Sequence, residues 1–161
     1  MDITLYTSMR KAAVTLAAAI TLATATPATA ADYELNVKPF EELQVVNGIN
    51  VTYRCNTDSA GYVRFSCDPD ISSMVLFSNN KNKLKIELSD EITDAQRQRL
   101  PTVTVFSAFL SKVENSGDST VYIDTPSPAA TFKARIVGNG TLIARGLHAT
   151  TVEGKIATGH G

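Results

Sequence analysis

The sequence predicts an all-β domain of short strands and glycine turns, its C-terminal half wound as a β-solenoid. Three observations predict it. Leu43, Val45, Ile49, Val51, Tyr53 and Cys55 all occupy odd positions, the period-two alternation of a strand with one buried face. From Val113 onward glycine-punctuated segments recur. Phe132-Lys-Ala-Arg-Ile136-Val-Gly138-Asn-Gly140 resembles Val152-Glu-Gly-Lys-Ile156-Ala-Thr-Gly159-His-Gly161; Ile136 and Ile156 lie 20 residues apart, Gly138 and Gly159 lie 21 apart. Val113-Glu-Asn-Ser-Gly117-Asp-Ser-Thr-Val121 is a weaker, earlier copy. One short strand and one turn per unit suit coils that bury their apolar edges on their neighbours. The third observation is the scarcity of helix signals, confined to Ser89–Leu100.

Residues 1–30 read as an export signal. Arg10 and Lys11 precede an uncharged run from Ala12 to Ala25, and Ala28-Thr29-Ala30 sets small residues at the −3 and −1 positions of a cleavage site after Ala30. The run is short and Ala/Thr-rich for a membrane span, which needs about 20 strongly apolar residues. An uncleaved anchor is the alternative. Residues 31–161 are then a single mature domain, with no cysteine at the cleavage site to carry a lipid. Removing the signal takes the formal net charge from −1 to −2. Such balance supplies no electrostatic footprint for nucleic acid and no polybasic patch for a membrane surface.

Ala31 to Pro39 forms an extended entry, and Phe40 anchors the strand pattern that follows. Asn47-Gly48 has the composition of a two-residue hairpin, but parity opposes one. That turn would set Val45 against Asn50 and Gln44 against Val51, breaking the apolar face. A chain that bends at Asn47-Gly48 without reversing keeps the odd residues together, with Gly48 supplying the permissive backbone. Asn56 to Gly61 is a turn-rich connection. Tyr62 to Cys67 is a strand with Val63, Phe65 and Cys67 inward, ended by Asp68-Pro69-Asp70. Ile71–Phe77 and Lys83–Leu88 flank a polar turn over Ser78–Asn82, with Leu84, Ile86 and Leu88 inward. In Ser89–Leu100, Ser89 or Asp90 serves as cap and Pro101 as stop, for either a helix or one helical turn in a loop. Thr102–Phe106 resumes strand.

Cys55 and Cys67 leave two alternatives. In an oxidising space they can form a disulfide, but an intervening hairpin over Asn56–Ala60 would part them by roughly 20 Å along the strands. Two buried thiols is the other reading. The chain stops at Gly159-His160-Gly161, mid-coil by the repeat and with no end cap. This predicts either a truncated gene product or an open end that associates with another chain.

These residues carry a family resemblance. Phe40, Leu43 and Val45, then Gly48-Ile49-Asn50-Val51, Lys83-Leu84-Lys85-Ile86, and the Gly138/Gly140 and Gly159/Gly161 turns resemble the putative auto-transporter adhesin head GIN domain family of exported Gram-negative proteins. The match runs from Phe40 through Gly161. It implies a right-handed β-helix-like fold and a cell-envelope or surface setting, and brings no catalytic residues with it. Members usually continue through further glycine-turn coils.

Chemical motifs are sparse. His148 and His160 lack ligand spacing with each other or with the cysteines, so no metal site is expected. Asp58, Asp68 and Asp70 fit plain turns better than a calcium loop. No serine elbow, P-loop or dinucleotide glycine pattern occurs, so no cofactor is expected. Glu114, Asp118, Asp124 and Glu153, the acids of the repeat half, are scattered among turns. That disfavours a carbohydrate-active enzyme, which needs converging carboxylates. The expectation is a non-enzymatic envelope or surface module that binds a glycan or a protein, with no catalytic residues. Asn115, Asn139, Arg135, Arg145 and His160 are offered as its exposed row. The alternative is a structural envelope protein that self-associates through its C-terminal open coil.

Overall fold

The computed structural model describes residues 29–157. All but two residues of the expected export signal lie outside them, as do Gly159, His160 and Gly161. Twelve strands follow in order: β1 (Ala31–Asn36), β2 (Glu42–Val46), β3 (Val51–Cys55), β4 (Tyr62–Cys67), β5 (Val75–Asn80), β6 (Lys83–Leu88), β7 (Val103–Ser107), β8 (Lys112–Ser116), β9 (Thr120–Thr125), β10 (Ala129–Val137), β11 (Thr141–Ala144) and β12 (Ala149–Ala157). Two single-turn helices, α1 (Pro69–Ser72) and α2 (Asp94–Arg97), interrupt them. No helix among the described residues is long and apolar enough to cross a membrane.

The strands form two open, mixed sheets of six. The first runs β1-β4-β7-β3-β9-β11 and the second β12-β10-β8-β2-β6-β5. β7, β3, β9 and β11 pair in parallel, as do β12, β10, β8, β2 and β6. β1, β4 and β5 add antiparallel at one end. Odd-numbered residues of β2, β3, β4 and β7 and even-numbered ones of β6 point inward. They meet in one apolar cluster that includes Leu43, Tyr53, Val63, Ile86 and Val105.

Asn47-Gly48 is a corner. β2 lies in the second sheet and β3 in the first, and the chain passes between them with Asn47 at φ 65 and Gly48 at φ 86. Leu43, Val45, Ile49, Val51 and Tyr53 are all buried, as parity requires of a bend that does not reverse. The next corners stack on this one: the Asn47 N–H donates to the Ser116 carbonyl at 3.3 Å. A Cβ on Gly117 would stand 2.8 Å from the Gly48 nitrogen, so the two corners touch through backbone.

Three local expectations are corrected. The turn between β5 and β6 is Lys81-Asn82 alone, at φ 51 and φ 64, with Asn80 paired to Lys83. Two consecutive left-handed residues define the type I′ hairpin, and the polar Ser78–Asn80 belong to the strand. The helical segment shrinks to α2, capped by Thr93 rather than Ser89 or Asp90: the Gln96 N–H donates to the Thr93 hydroxyl at 3.3 Å, and the Thr93 N–H to the Gln96 side chain at 3.0 Å. The Asp68-Pro69-Asp70 breaker starts α1, where Pro suits a first turn.

Both cysteines are thiols, Cys67 buried and Cys55 partly so. They sit on β4 and β3 of the same sheet, with β7 between. Burial pushes the Cys67 thiol pKa up.

Tyr53 is buried with its hydroxyl. The phenol donates to the Ser107 carbonyl at 3.4 Å, and the Ser107 hydroxyl lies 3.0 Å from the phenol oxygen. Burial pushes the Tyr53 pKa up to about 12. A folded pKa above the unfolded value of about 10 stabilises the fold fully below pH 10 and loses that contribution as pH rises through the folded value. Denaturant titrations from pH 8 to 12 should therefore show a steeper alkaline fall in the wild type than in Tyr53→Phe, by about 2–3 kcal/mol over the window. Parallel curves would contradict the assignment.

Candidate functional site

The two sheets turn very different outer faces to solvent. On the second sheet the outward residues are long and charged. Gln44 and Ser116 donate to one Glu114 carboxylate oxygen at 3.0 Å each, and Arg135 reaches the other at 3.4 Å. Lys112 pairs with Glu42 at 3.6 Å and Lys133 with Glu153 at 3.2 Å. Most of these charges are matched across neighbouring strands, so the face carries little unbalanced field.

The outer face of the first sheet is built otherwise. Cross-strand register places Glu34, Arg64, Thr104, Thr52, Tyr122 and Ile143 in one row over all six strands. Beside it the Arg64 guanidinium lies 5.1 Å from the centroid of the Phe106 ring. Arg145 lies 5.4 Å from that of Tyr122. Arg64 also bonds Glu34 at 2.6 Å, and Arg54 bonds Asp124 at 3.1 Å. Arg145 has no carboxylate partner among the described residues, so its remaining donors face solvent. A shallow groove of about 500 Å³ opens between Asp32, Glu34, Arg64 and Thr104.

Stacking of arginine on an aromatic ring fixes a flexible cation over a rigid apolar plate, leaving guanidinium N–H groups free at its rim. Threonine hydroxyls on β3 and β7 add short donors and acceptors beside it. A flat strip of this kind holds an extended ligand by stacking and hydrogen bonds. Its groove lies open to solvent and so does not surround a small molecule on all sides.

The expected binding row does not assemble. Asn115 is fully buried: its amide donates to the Ser119 carbonyl at 2.7 Å and the Thr141 carbonyl at 3.0 Å, tying one corner to the next. Arg135 lies on the second sheet, engaged by Glu114. Asn139 is exposed at the β10–β11 corner, and Arg145 alone joins the arginine–aromatic strip. His160 is outside the described residues.

Thr52, Arg64, Thr104, Phe106 and Tyr122 were missed. Their signal was present in the parity that buries Val51, Tyr53, Val63, Val105, Val121 and Ile123: even positions on these strands point out, which leaves Tyr122 part-exposed, whereas Phe106 is buried at 8% exposure beneath the Arg64 guanidinium.

The scattered acids do not converge either. Asp124 sits on the first sheet's face with Arg54, while Glu114 and Glu153 sit on the second with their own cations. Asp68 and Asp70 both hold Arg99, the latter at 2.9 Å, and this hydrogen bond holds the Asp70 carboxyl below the usual range. Among the described residues no group of three His, Cys, Asp or Glu side chains is placed to hold a metal ion.

Residues 39–160 match the family described as putative auto-transporter adhesin, head GIN domain. No curated protein matches the chain. Among solved structures, a putative adhesin from Parabacteroides merdae superposes with TM-score 0.67 at 14% identity, over 80% of this chain and 52% of its own. One from Parabacteroides distasonis gives 0.68 at 15%, over 80% and 53%. One from Bacteroides fragilis gives 0.65 at 14%, over 83% and 61%. The chain thus spans about half to three-fifths of the length of these structures, and at such identity the likeness is one of fold.

Proposed function

Since the chain belongs to the putative auto-transporter adhesin, head GIN domain family, we propose that it is an exported, non-enzymatic surface module that binds an extended glycan along the outer face of its first sheet. The observation that carries this reading is the six-strand row from Glu34 to Ile143, with arginines stacked on Phe106 and Tyr122. An open strip of stacked arginine, aromatic and threonine side chains suits a sugar chain. Neighbouring hydroxyls meet N–H and O–H groups, and an apolar sugar face meets the part-exposed Tyr122 ring, while the buried Phe106 ring seats Arg64. The solved relatives, themselves putative adhesins, support it, and so does the signal-like composition of residues 1–30.

The scaffold is read as a β-solenoid of two-strand coils, β6–β7, β2–β3, β8–β9 and β10–β11 in spatial order, with β12 beginning another. Support comes from the parallel registers, in which β8 meets β10 at an offset of 21 residues and β10 meets β12 at 20. A rigid stack of coils fixes the spacing of the outward row without a hinge.

The test is a glycan array probed with wild type and with Tyr122→Ala. Wild type is expected to retain a defined set of oligosaccharides, and Tyr122→Ala to weaken that binding at least about tenfold, the scale of a lost stacking anchor. Binding that survives unchanged, or a wild type that retains no glycan but captures a protein, would remove the glycan reading.

A further inference from the structure

The last strand of the second sheet, β12, pairs with β10 on one side only among the described residues. Val152 and Ile156 lie on the inward face, registered with Phe132 and Ile136, yet are 57% and 74% exposed. A strand edge with bare apolar side chains invites another strand.

The backbone fixes which groups are on offer. The Lys133 N–H donates to the Ser111 carbonyl on the β8 side, and the Gly138 N–H to the Ala157 carbonyl on the β12 side. Peptide groups alternate sides along a strand, so in Thr151–Ala157 the odd residues face β10, and Val152, Gly154 and Ile156 direct their N–H and C=O groups to the open edge.

We infer that a second copy of this chain docks there, β12 against β12 antiparallel, with the two-fold axis through Gly154. That register is selected by three independent features. It makes Val152 and the partner's Ile156 a hydrogen-bonded pair on the inward face, so each copy covers the other's exposed apolar residue. It sets Glu153 directly opposite the partner's Lys155 on the outward face, in the closer, non-hydrogen-bonded spacing of about 4.5 Å. Axes at the neighbouring positions oppose like charges, Glu153 to Glu153 or Lys155 to Lys155.

Lys155 is also the residue in need of such a partner: it pairs in register with Arg135 and meets no carboxylate among the described residues. Gly154 fits the axis. Among the described residues nothing lies within 4 Å of a Cβ there, so no contact between them calls for its lack of a side chain. Glycine inside a strand leaves room for another backbone to approach closely.

The dimer uses the edge of the second sheet and leaves the outer face of the first free, so it stands or falls separately from glycan binding. Its test is sedimentation of the purified chain over a wide concentration range, as wild type, Glu153→Lys, Lys155→Glu, and an equimolar mixture of the two variants. Wild type is expected to dimerise reversibly. Each variant alone opposes like charges twice and should weaken the dimer at least about tenfold. The mixture restores both opposite-charge pairs and should recover wild-type association as a heterodimer. Circular dichroism of the variants should match wild type, since both sites are exposed. A wild type that stays monomeric at every concentration, as it would if a further coil normally stacked on this edge, overturns the inference. So does a mixture that associates no better than its components.

Discussion

Gly61→Ala is expected to lower unfolding free energy by about 3–5 kcal/mol, the sum of a left-handed backbone penalty and an overpacking term. Gly61 sits at φ 84, and a Cβ there would stand 2.6 Å from the Lys38 carbonyl carbon and 2.7 Å from the Pro39 nitrogen. Both are backbone atoms, held in place by the Val37 N–H bond to the Gly61 carbonyl at 2.8 Å and by the Asn79 amide, which donates to the Val37 carbonyl at 2.8 Å. The β1–β2 corner cannot retreat without losing these bonds. Gly146→Ala is the matched control: φ is 64 but nothing lies within 4 Å of the added carbon, so only the backbone penalty of about 1–2 kcal/mol applies. Urea denaturation of the two variants measures the difference. Equal losses would show that the Lys38–Pro39 corner yields.

Asn115→Asp is expected to destabilise by about 3–5 kcal/mol at neutral pH, because it exchanges a buried donor for a buried anion facing two acceptors. The Asn115 amide group serves the Ser119 and Thr141 carbonyls together. A carboxylate of the same shape repels both. Burial would raise the folded pKa of the new carboxyl above its unfolded value of about 4, so stability is greatest at low pH and falls as pH rises through the folded pKa. Asn115→Ala, which merely leaves the carbonyls unpaired, should lose about 2–4 kcal/mol with no added pH dependence. Denaturation curves at pH 4 and pH 7 separate the two. A variant whose stability does not vary with pH would mean that solvent reaches the site.

The fate of Asn115 shows what side-chain type hides and parity reveals. Val113 and Asn115 are two apart on one strand and therefore share a face; reading Asn115 as exposed followed its polarity instead. The same parity correctly kept Leu43, Val45, Ile49, Val51 and Tyr53 together across Asn47-Gly48, because burial on one face is the strongest demand a strand makes of its sequence. Lys81-Asn82 was illegible for a different reason. Neither residue is glycine, and the preceding Ser78, Asn79 and Asn80 imitate a loop, although Asn79 turns its amide onto the Val37–Pro39 carbonyls.

Spatial order was also beyond reach. The 20-residue spacing holds only from β8 onward, whereas β2 pairs with β8 at an offset of 70 and with β6 at 41. The β2–β3 unit therefore lies between two units that both come later in the chain, by 41 and by 70 residues, and no periodic signal records this. The arginine–aromatic strip depends on that order. Tyr122 comes beside Thr52, and Thr52 beside Thr104, only once β3 is inserted between β9 and β7.

Whether the strip is the binding face is tested most directly by backbone amide shifts, titrating an array-selected glycan into the isotope-labelled chain. Shifts should cluster at Thr52, Arg64, Thr104, Tyr122 and Arg145 and leave Lys85, Lys112 and Lys133 unmoved. Shifts confined to the charged face of the second sheet would contradict the assignment.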